Sequence, residues 1–150
     1  MSNNYNLISD SNISPLKGFL INIDNQNNVE VAPFGQVIQE LYNKKNKFEE
    51  QAIFWLSPKA VIPTFSDAAQ LKEVNHNDCL EEVKKFSEAL IALSQKKKTV
   101  YLVSWEMQDI DNNYGLLDWR PNLGLKYLLM KMNLYLAELL SVSENIYILD

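Results

Sequence analysis

The sequence predicts an α/β fold in which helices cover both faces of a doubly wound, parallel sheet of five strands. Five short apolar runs have the length of buried strands, and segments with apolar residues at helical spacing lie between them. Each connection is long enough to hold a helix, which parallel neighbours require because a tight hairpin cannot join them. Strands and helices that alternate in this way form three layers, and the expected class is flavodoxin-like.

The first strand and the first helix are predicted within residues 5–22. Residues 5–9 are mostly apolar and form the strand. Ser14 is expected to be the N-cap of the helix, and Pro15 its first helical residue, since proline needs no amide partner there. The polar sequence Ser-Asp-Ser-Asn, residues 9–12, therefore joins a buried strand to a helix start.

The next elements are a strand, a helix and a second strand. Residues 29–32 form the strand, which Pro33 and Gly35 end before a helix at about residues 36–42. Residues 52–56 are an almost unbroken apolar run. Such runs are typical of central parallel strands, which are covered on both faces.

The second half of the chain is predicted to hold two long helices and two strands. A stripe of apolar residues at helical spacing marks a helix at about residues 78–95, and the apolar residues 100–105 form the fourth strand. After a polar loop, Pro121 is expected to open the last helix. Residues 146–149 form the fifth strand.

Composition favours an ordinary globular domain spanning residues 1–150. Of these residues 47% are hydrophobic and 22% are charged, which argues against disorder. The net charge of −5 argues against a nucleic-acid partner, because phosphate binding needs a basic surface. Three lysines at residues 96–98 are interpreted as a solvated helix end, where cations complement the helix dipole.

The remaining composition predicts a cytoplasmic protein without a metal or cofactor. Cys79 is the only cysteine, so no disulfide is expected, and it makes with His76, the only histidine, too few ligands for a metal site. Charged residues interrupt the apolar stretch 123–140, so no membrane span is predicted. The N-terminus lacks the pattern of a signal peptide.

The Ser-Asp-Ser-Asn sequence is the first candidate site. Ligands of doubly wound sheets bind at the carboxyl ends of the strands, beside the point where the strand order reverses. The first strand usually borders that point. Ser9, Asp10, Ser11 and Asn12 are therefore expected to lie at a ligand-binding crevice, next to a helix N-terminus.

Three roles for this sequence are open from the residues alone. Ser11 is a nucleophile if a base activates it, with Asn12 and the Ser11 amide as donors to the developing negative charge. Alternatively, the sequence binds a phosphate at the helix N-terminus, although Asp10 would repel that phosphate. A third possibility is that these side chains make only turn and capping hydrogen bonds.

A second polar group follows the fourth strand and is expected to line the same pocket. Trp105 ends that strand, and Glu106 and Arg120 lie in the loop after it. Arg120 can hold a carboxylate or phosphate with two hydrogen bonds, or can instead form a structural ion pair with Asp118. Asn133, on an otherwise apolar helix, is expected to bind a loop backbone or to face the pocket.

The Ser-Asp-Ser-Asn sequence resembles the first block, Gly-Asp-Ser, of SGNH-type hydrolases. Six further stretches follow in the order seen in the N-terminal domain of FkbH-like proteins, and together they cover nearly the whole chain. They read EVAPFGQVIQEL, FWLSPKAVIPTF, EEVKKFSEAL, VYLVSW, GLLDWRPNLGL and MNLYLAELL with NIYILD. The order and spacing of these stretches, rather than any single motif, carry the resemblance.

The resemblance implies specific roles at the first strand. Ser11 matches the nucleophile, with Asp10 before it and Asn12 after it, while Ser9 replaces the usual glycine. Other blocks differ from the hydrolases. Residues 56–59 read Leu-Ser-Pro-Lys where Gly-x-Asn-Asp would supply an oxyanion donor, and the catalytic Asp-x-x-His pair has no counterpart.

The resemblance to FkbH-like proteins implies acyl or glyceryl transfer to an acyl carrier protein, in polyketide or surface-glycan biosynthesis. The ligand is then this carrier or a small phosphorylated or acyl substrate. The resemblance also implies a haloacid-dehalogenase-type domain outside these residues, so the chain is expected to be a fragment, weak or inactive alone. Two alternatives are a non-catalytic module that binds a carrier or a partner domain, and a flavodoxin-like electron carrier.

Overall fold

A single parallel sheet contains the five strands found in residues 3–42, 50–107 and 114–150, which the computed structural model describes. The strands are β1 (Asn4–Ser9), β2 (Asn28–Val31), β3 (Glu50–Trp55), β4 (Thr99–Val103) and β5 (Ile146–Leu149). Their order is β2-β1-β3-β4-β5, and each neighbouring pair is parallel. This is the strand order of flavodoxin-like, doubly wound folds, so the predicted α/β class is confirmed.

Helices precede or follow every strand of the described chain. They are α1 (Ser14–Ile23), α2 (Val37–Leu41), α3 (Pro58–Val61), α4 (Pro63–Ala69), α5 (His76–Ser94) and α6 (Leu125–Leu140), with a 3-10 helix at Gly115–Leu117. Helices α3 and α4 lie in what the sequence predicts only as a connection. Each begins at a proline, which needs no amide partner at a helix start.

The predicted start of the last helix at Pro121 is wrong. Helix α6 begins at Leu125, and Gly124 is its N-cap. A Cβ atom at Gly124 would overlap the carbonyl group of Asp118, so the chain passes very close to itself there. The Gly124 amide donates to the carbonyl of Arg120 at 2.8 Å, which closes a turn that the sequence assigned to the helix.

The end of β4 and the start of α1 also differ from the prediction. Strand β4 ends at Val103, two residues before the expected Trp105. In α1 the N-cap is Ile13, while Ser14 is already helical. The reason is that Asn12 Oδ1 accepts the Ser14 amide at 3.1 Å, which orders Ser14 into the first turn.

The described residues belong to two compact units. The first contains the whole sheet and comprises Met1–Leu56, Ala89–Val103 and Ser143–Asp150; the second comprises Ser57–Glu88 and Ser104–Val142. We call them the sheet unit and the helical unit. Helices α1 and α2 belong to the sheet unit, whereas α3, α4 and α6 belong to the helical unit.

The sheet unit has an apolar core on the face covered by α1. Leu7, Val29 and Ile53, one from each of three neighbouring strands, pack with Ile13 and with partly buried residues of α1. Strand β3 is buried from Glu50 to Phe54, so its predicted central position is confirmed. Burial of these side chains supplies most of the favourable energy of this unit.

An ion pair is buried at the start of β3. Lys97 Nζ contacts Glu50 Oε2, and the two side chains are only 7% and 5% exposed. The Lys98 amide also donates to the Glu50 carbonyl at 3.0 Å. For Lys97 the interpretation of residues 96–98 as a solvated helix end is therefore wrong, because this lysine turns inward to a buried carboxylate.

Within the described ranges, no helix combines the length and the apolar character needed to cross a bilayer.

Candidate functional site

The Ser-Asp-Ser-Asn sequence lies at the carboxyl end of β1. Ser9 is the last residue of β1 and pairs with Trp55, the last residue of β3. The chain passes from β1 outward to β2 and then returns to β3 on the other side of β1, so the strand order reverses beside β1. Ligands of such sheets bind at this point.

Ser9 is a buried hydrogen-bonding centre. It is 6% exposed, and its Oγ lies 2.7 Å from the carbonyl oxygen of Trp55, to which it donates. The Ser11 amide donates to Ser9 Oγ at 3.1 Å, and the two hydroxyl oxygens are 3.1 Å apart. A hydroxyl has one hydrogen and two lone pairs. Since the Trp55 carbonyl takes the hydrogen of Ser9, the Ser11 hydroxyl must donate its own hydrogen to Ser9.

The first amides of α1 are occupied. Asn12 Oδ1 accepts the Ser14 amide, and Pro15 has no amide hydrogen. The next two amides of the helix donate to the carbonyl of Ile13 at 3.1 and 3.2 Å. A helix start binds an anion through unpaired amides, and these bonds use the amides of the first turn. The geometry therefore gives no support to the phosphate-binding and oxyanion roles of this helix start.

Two hollows in the sheet unit share Ser11, Asn12 and Ile13. The Trp55 hollow, of about 440 Å³, is completed by Pro15, Leu16, Phe19 and Trp55. The Phe34 hollow, of about 250 Å³, is completed by Ser9, Ser14, Val31, Ala32 and Phe34. Three rings at these hollows are unusually exposed for aromatic side chains: Trp55 at 48%, Phe19 at 61% and Phe34 at 77%.

The sequence pattern does not mark these aromatic residues as part of the site. It places Trp55 inside the third apolar run, residues 52–56, and Phe34 between Pro33 and Gly35. One signal was available for Trp55, because it lies near the end of that run, and ligands of doubly wound sheets bind at the carboxyl ends of the strands.

The second polar group is organised around Trp105 in the helical unit. Trp105 is 2% exposed and packs against Phe86, with the ring centroids 5.7 Å apart. Asn133 Oδ1 accepts the Trp105 amide at 3.1 Å, and Asn133 Nδ2 donates to the Trp105 carbonyl at 2.7 Å. The prediction that Asn133 binds a loop backbone is confirmed.

The loop residues of this group do not form the expected ion pair. Asp118 is 3% exposed and accepts the Tyr114 amide at 2.7 Å, whereas Arg120 is exposed, and among the described residues no ion pair joins the two. Glu106 is also exposed. Asp118 therefore orders the loop backbone, and the side chain of Arg120 faces solvent.

A shallow hollow of about 400 Å³ lies beside this group in the helical unit. Its lining residues are Met107, Trp119, Lys126, Leu129, Met130 and Asn133. Ser9 to Asn12 belong to the sheet unit, and the Trp105 group belongs to the helical unit. That the two groups line one pocket stays a prediction.

His76 and Cys79 are buried in the helical unit, with exposures of 7% and 0%. Burial, together with the positive charge of Lys131, lowers the pKa of His76, so this histidine favours the neutral form. Burial, with added repulsion from Glu82 and Asp78, raises the pKa of Cys79 to about 12. Among the described residues, no three histidine, cysteine or acidic side chains are grouped as metal ligands.

The free energy of unfolding is expected to fall as the pH drops below the ordinary histidine pKa of 6.5, in part because of His76. The unfolded chain then takes up a proton that the folded chain, with its lowered pKa, does not bind. Urea unfolding between about pH 7.5 and 5.5 measures this slope. His76→Leu should have the shallower slope, and an unchanged slope would contradict the assignment.

The site geometry in the sheet unit is thus a hydrogen-bonded serine pair that lines two hollows edged by exposed rings. No model of a known protein family matches the chain, and a search of curated proteins finds no significant match. The resemblance to SGNH-type and FkbH-like proteins accordingly stays a prediction from the sequence motifs.

Proposed function

We propose that the sheet unit binds the acyl or glyceryl group of a substrate linked to an acyl carrier protein. In this proposal the chain is the SGNH-like part of an FkbH-like transferase system of polyketide or surface-glycan biosynthesis. Ser11 holds the group by hydrogen bonding and does not attack it. The chemical step then belongs to a haloacid-dehalogenase-type domain, in the same protein or in a separate one.

One observation supports the assignment that Ser11 binds the substrate group rather than attacking it. A nucleophilic serine needs a base that accepts its proton. The Ser11 hydroxyl hydrogen is directed at Ser9 Oγ, which is itself a hydroxyl that donates to the Trp55 carbonyl. A hydroxyl in that position does not remove a proton at neutral pH. The only histidine of the chain, His76, is buried, with an exposure of 7%.

The size and lining of the two hollows also support the proposed ligand. With volumes of about 440 and 250 Å³, they accommodate a short acyl or glyceryl group rather than a large ligand. An alkyl chain in the Trp55 hollow would cover part of Trp55 and Phe19, which is favourable because both rings are about half exposed or more. Ser11 and Asn12 line both hollows and provide polar anchors for the group.

A fluorophosphonate probe tests the role of Ser11. The wild-type protein and Ser11→Ala are treated with the probe beside an active serine hydrolase, and the intact mass of each is measured. We expect the hydrolase to be labelled and both forms of this protein to remain unlabelled. A mass increase in the wild type that Ser11→Ala lacks would show that Ser11 is a nucleophile.

Binding is tested with an acyl carrier protein that carries a butyryl group or carries none. The butyryl form is expected to bind more tightly, by roughly threefold to tenfold for a short chain placed against an aromatic ring. Trp55→Ala should remove this difference. Trp119→Ala is the matched control, because Trp119 is 62% exposed but lines neither the Trp55 hollow nor the Phe34 hollow. Equal binding of the two carrier forms would contradict the proposed function.

A further inference from the structure

The hydrogen-bond polarity of Ser11 limits which ligands the site accepts. Ser9 Oγ donates its single hydrogen to the Trp55 carbonyl, so it offers only lone pairs to Ser11. Both the amide and the hydroxyl of Ser11 donate to those lone pairs. Ser11 is an exposed residue, and as long as it keeps this hydrogen bond to Ser9, its hydroxyl offers a ligand only lone pairs.

We infer that the Ser11 site selects uncharged ligands that bear an O–H donor, such as the hydroxyl of a glyceryl group, and discriminates against phosphate and carboxylate groups. The inference rests on the proposed function and specifies its substrate class. An ionised phosphate has only acceptor oxygens at neutral pH and needs donors around it. Ser11 presents an acceptor instead, and its lone pairs repel the oxygens of such a group.

The helix start next to Ser11 strengthens this selection. The first amides of α1 are occupied by Asn12 and by the carbonyl of Ile13, so the helix start adds no donors for an anion. Discrimination therefore comes from hydrogen bonding.

Asn12 supplies the complementary half of the site. Its Oδ1 accepts the Ser14 amide, which fixes the orientation of the side-chain amide, and its Nδ2 provides a donor for a ligand. Ser11 and Asn12 line the same two hollows, one as an acceptor and the other as a donor. A glyceryl ether or ester matches the pair, because its hydroxyl donates to Ser11 and its ether or carbonyl oxygen accepts from Asn12.

Two ligands with the same alkyl chain test whether the site prefers a hydroxyl group to a phosphate: glycerol monobutyl ether and monobutyl phosphate. Binding is followed by fluorescence in a Trp105→Phe, Trp119→Phe background, so that Trp55 is the only tryptophan. The ether is expected to bind at least about tenfold more tightly than the phosphate. Phosphate binding as tight as, or tighter than, ether binding would overturn the inference. Binding of neither ligand would contradict the proposed function itself.

Variants at the serine pair provide an independent test. Ser9→Ala removes the acceptor that holds the Ser11 hydrogen, so Ser11 becomes free to donate. The preference for the ether over the phosphate should then fall by roughly fivefold. Ser143→Ala, in the turn before β5, serves as the control and should keep the wild-type preference. An unchanged preference in Ser9→Ala would overturn the assigned direction of the hydrogen bond.

Discussion

Replacing Gly124 with alanine is expected to lower the free energy of unfolding by about 3 kcal/mol, near the upper end of what overpacking costs. The added Cβ would overlap the backbone carbonyl of Asp118, which a side-chain rotation cannot relieve. Asp118 has little freedom to move, because its carbonyl also accepts the Tyr127 amide at 2.9 Å. Urea unfolding of the variant beside the wild type measures the loss.

Gly18→Ala is the matched control for this prediction. Gly18 lies inside α1, and a Cβ there meets no atom within 4 Å. Alanine is a better helix former than glycine by up to about 1 kcal/mol, so this variant should be as stable as the wild type or more stable. If both alanine variants lost the same stability, the close approach at Gly124 would not be the cause.

Lys97→Met is expected to destabilise the protein by about 3 kcal/mol, because it removes the cation that contacts the buried Glu50 carboxylate. Replacing both partners with methionine should recover part of this loss, since neither charge is then buried unpaired. The free energies of unfolding of the two single variants and the double variant form a cycle that measures the coupling. If the stability losses of the two single variants simply added up in the double variant, Lys97 and Glu50 would not stabilise each other.

The exposed pair of Lys72 and Asp67 provides the comparison. Their atoms are 2.7 Å apart, but the side chains are 57% and 48% exposed. Lys72→Met should cost about 0.5 kcal/mol or less, because solvent screens exposed charges. A loss in Lys97→Met no greater than this one would show that burial adds nothing to the pair at Glu50.

The strands could be predicted from the sequence because each is a short apolar run bounded by turn residues. Parallel pairing followed from the connections between the runs. The two errors at helix starts have one cause: Pro121 and Ser14 carry the local signals of helix starts, but contacts of the folded chain decide those positions. At α6 the turn through Gly124 delays the helix, and at α1 the Asn12 side chain moves Ser14 inside it.

The position of the candidate site could be predicted from the sequence, but the hydrogen bonding within it could not. The end of the first strand is a ligand-binding position in any doubly wound sheet, and a polar sequence stands out there. The direction of the hydrogen bond between Ser9 and Ser11 depends on the Trp55 carbonyl, which is 46 residues away from Ser9. Only the pairing of β1 with β3 brings that carbonyl to the serine pair.

A crystal of the wild-type protein soaked with glycerol monobutyl ether tests the central claim most directly. The account predicts the alkyl chain in the Trp55 hollow, a ligand hydroxyl within hydrogen-bonding distance of Ser11 Oγ, and Ser9 Oγ still bonded to the Trp55 carbonyl. A ligand bound elsewhere would contradict the account. So would a Ser11 hydroxyl turned away from Ser9.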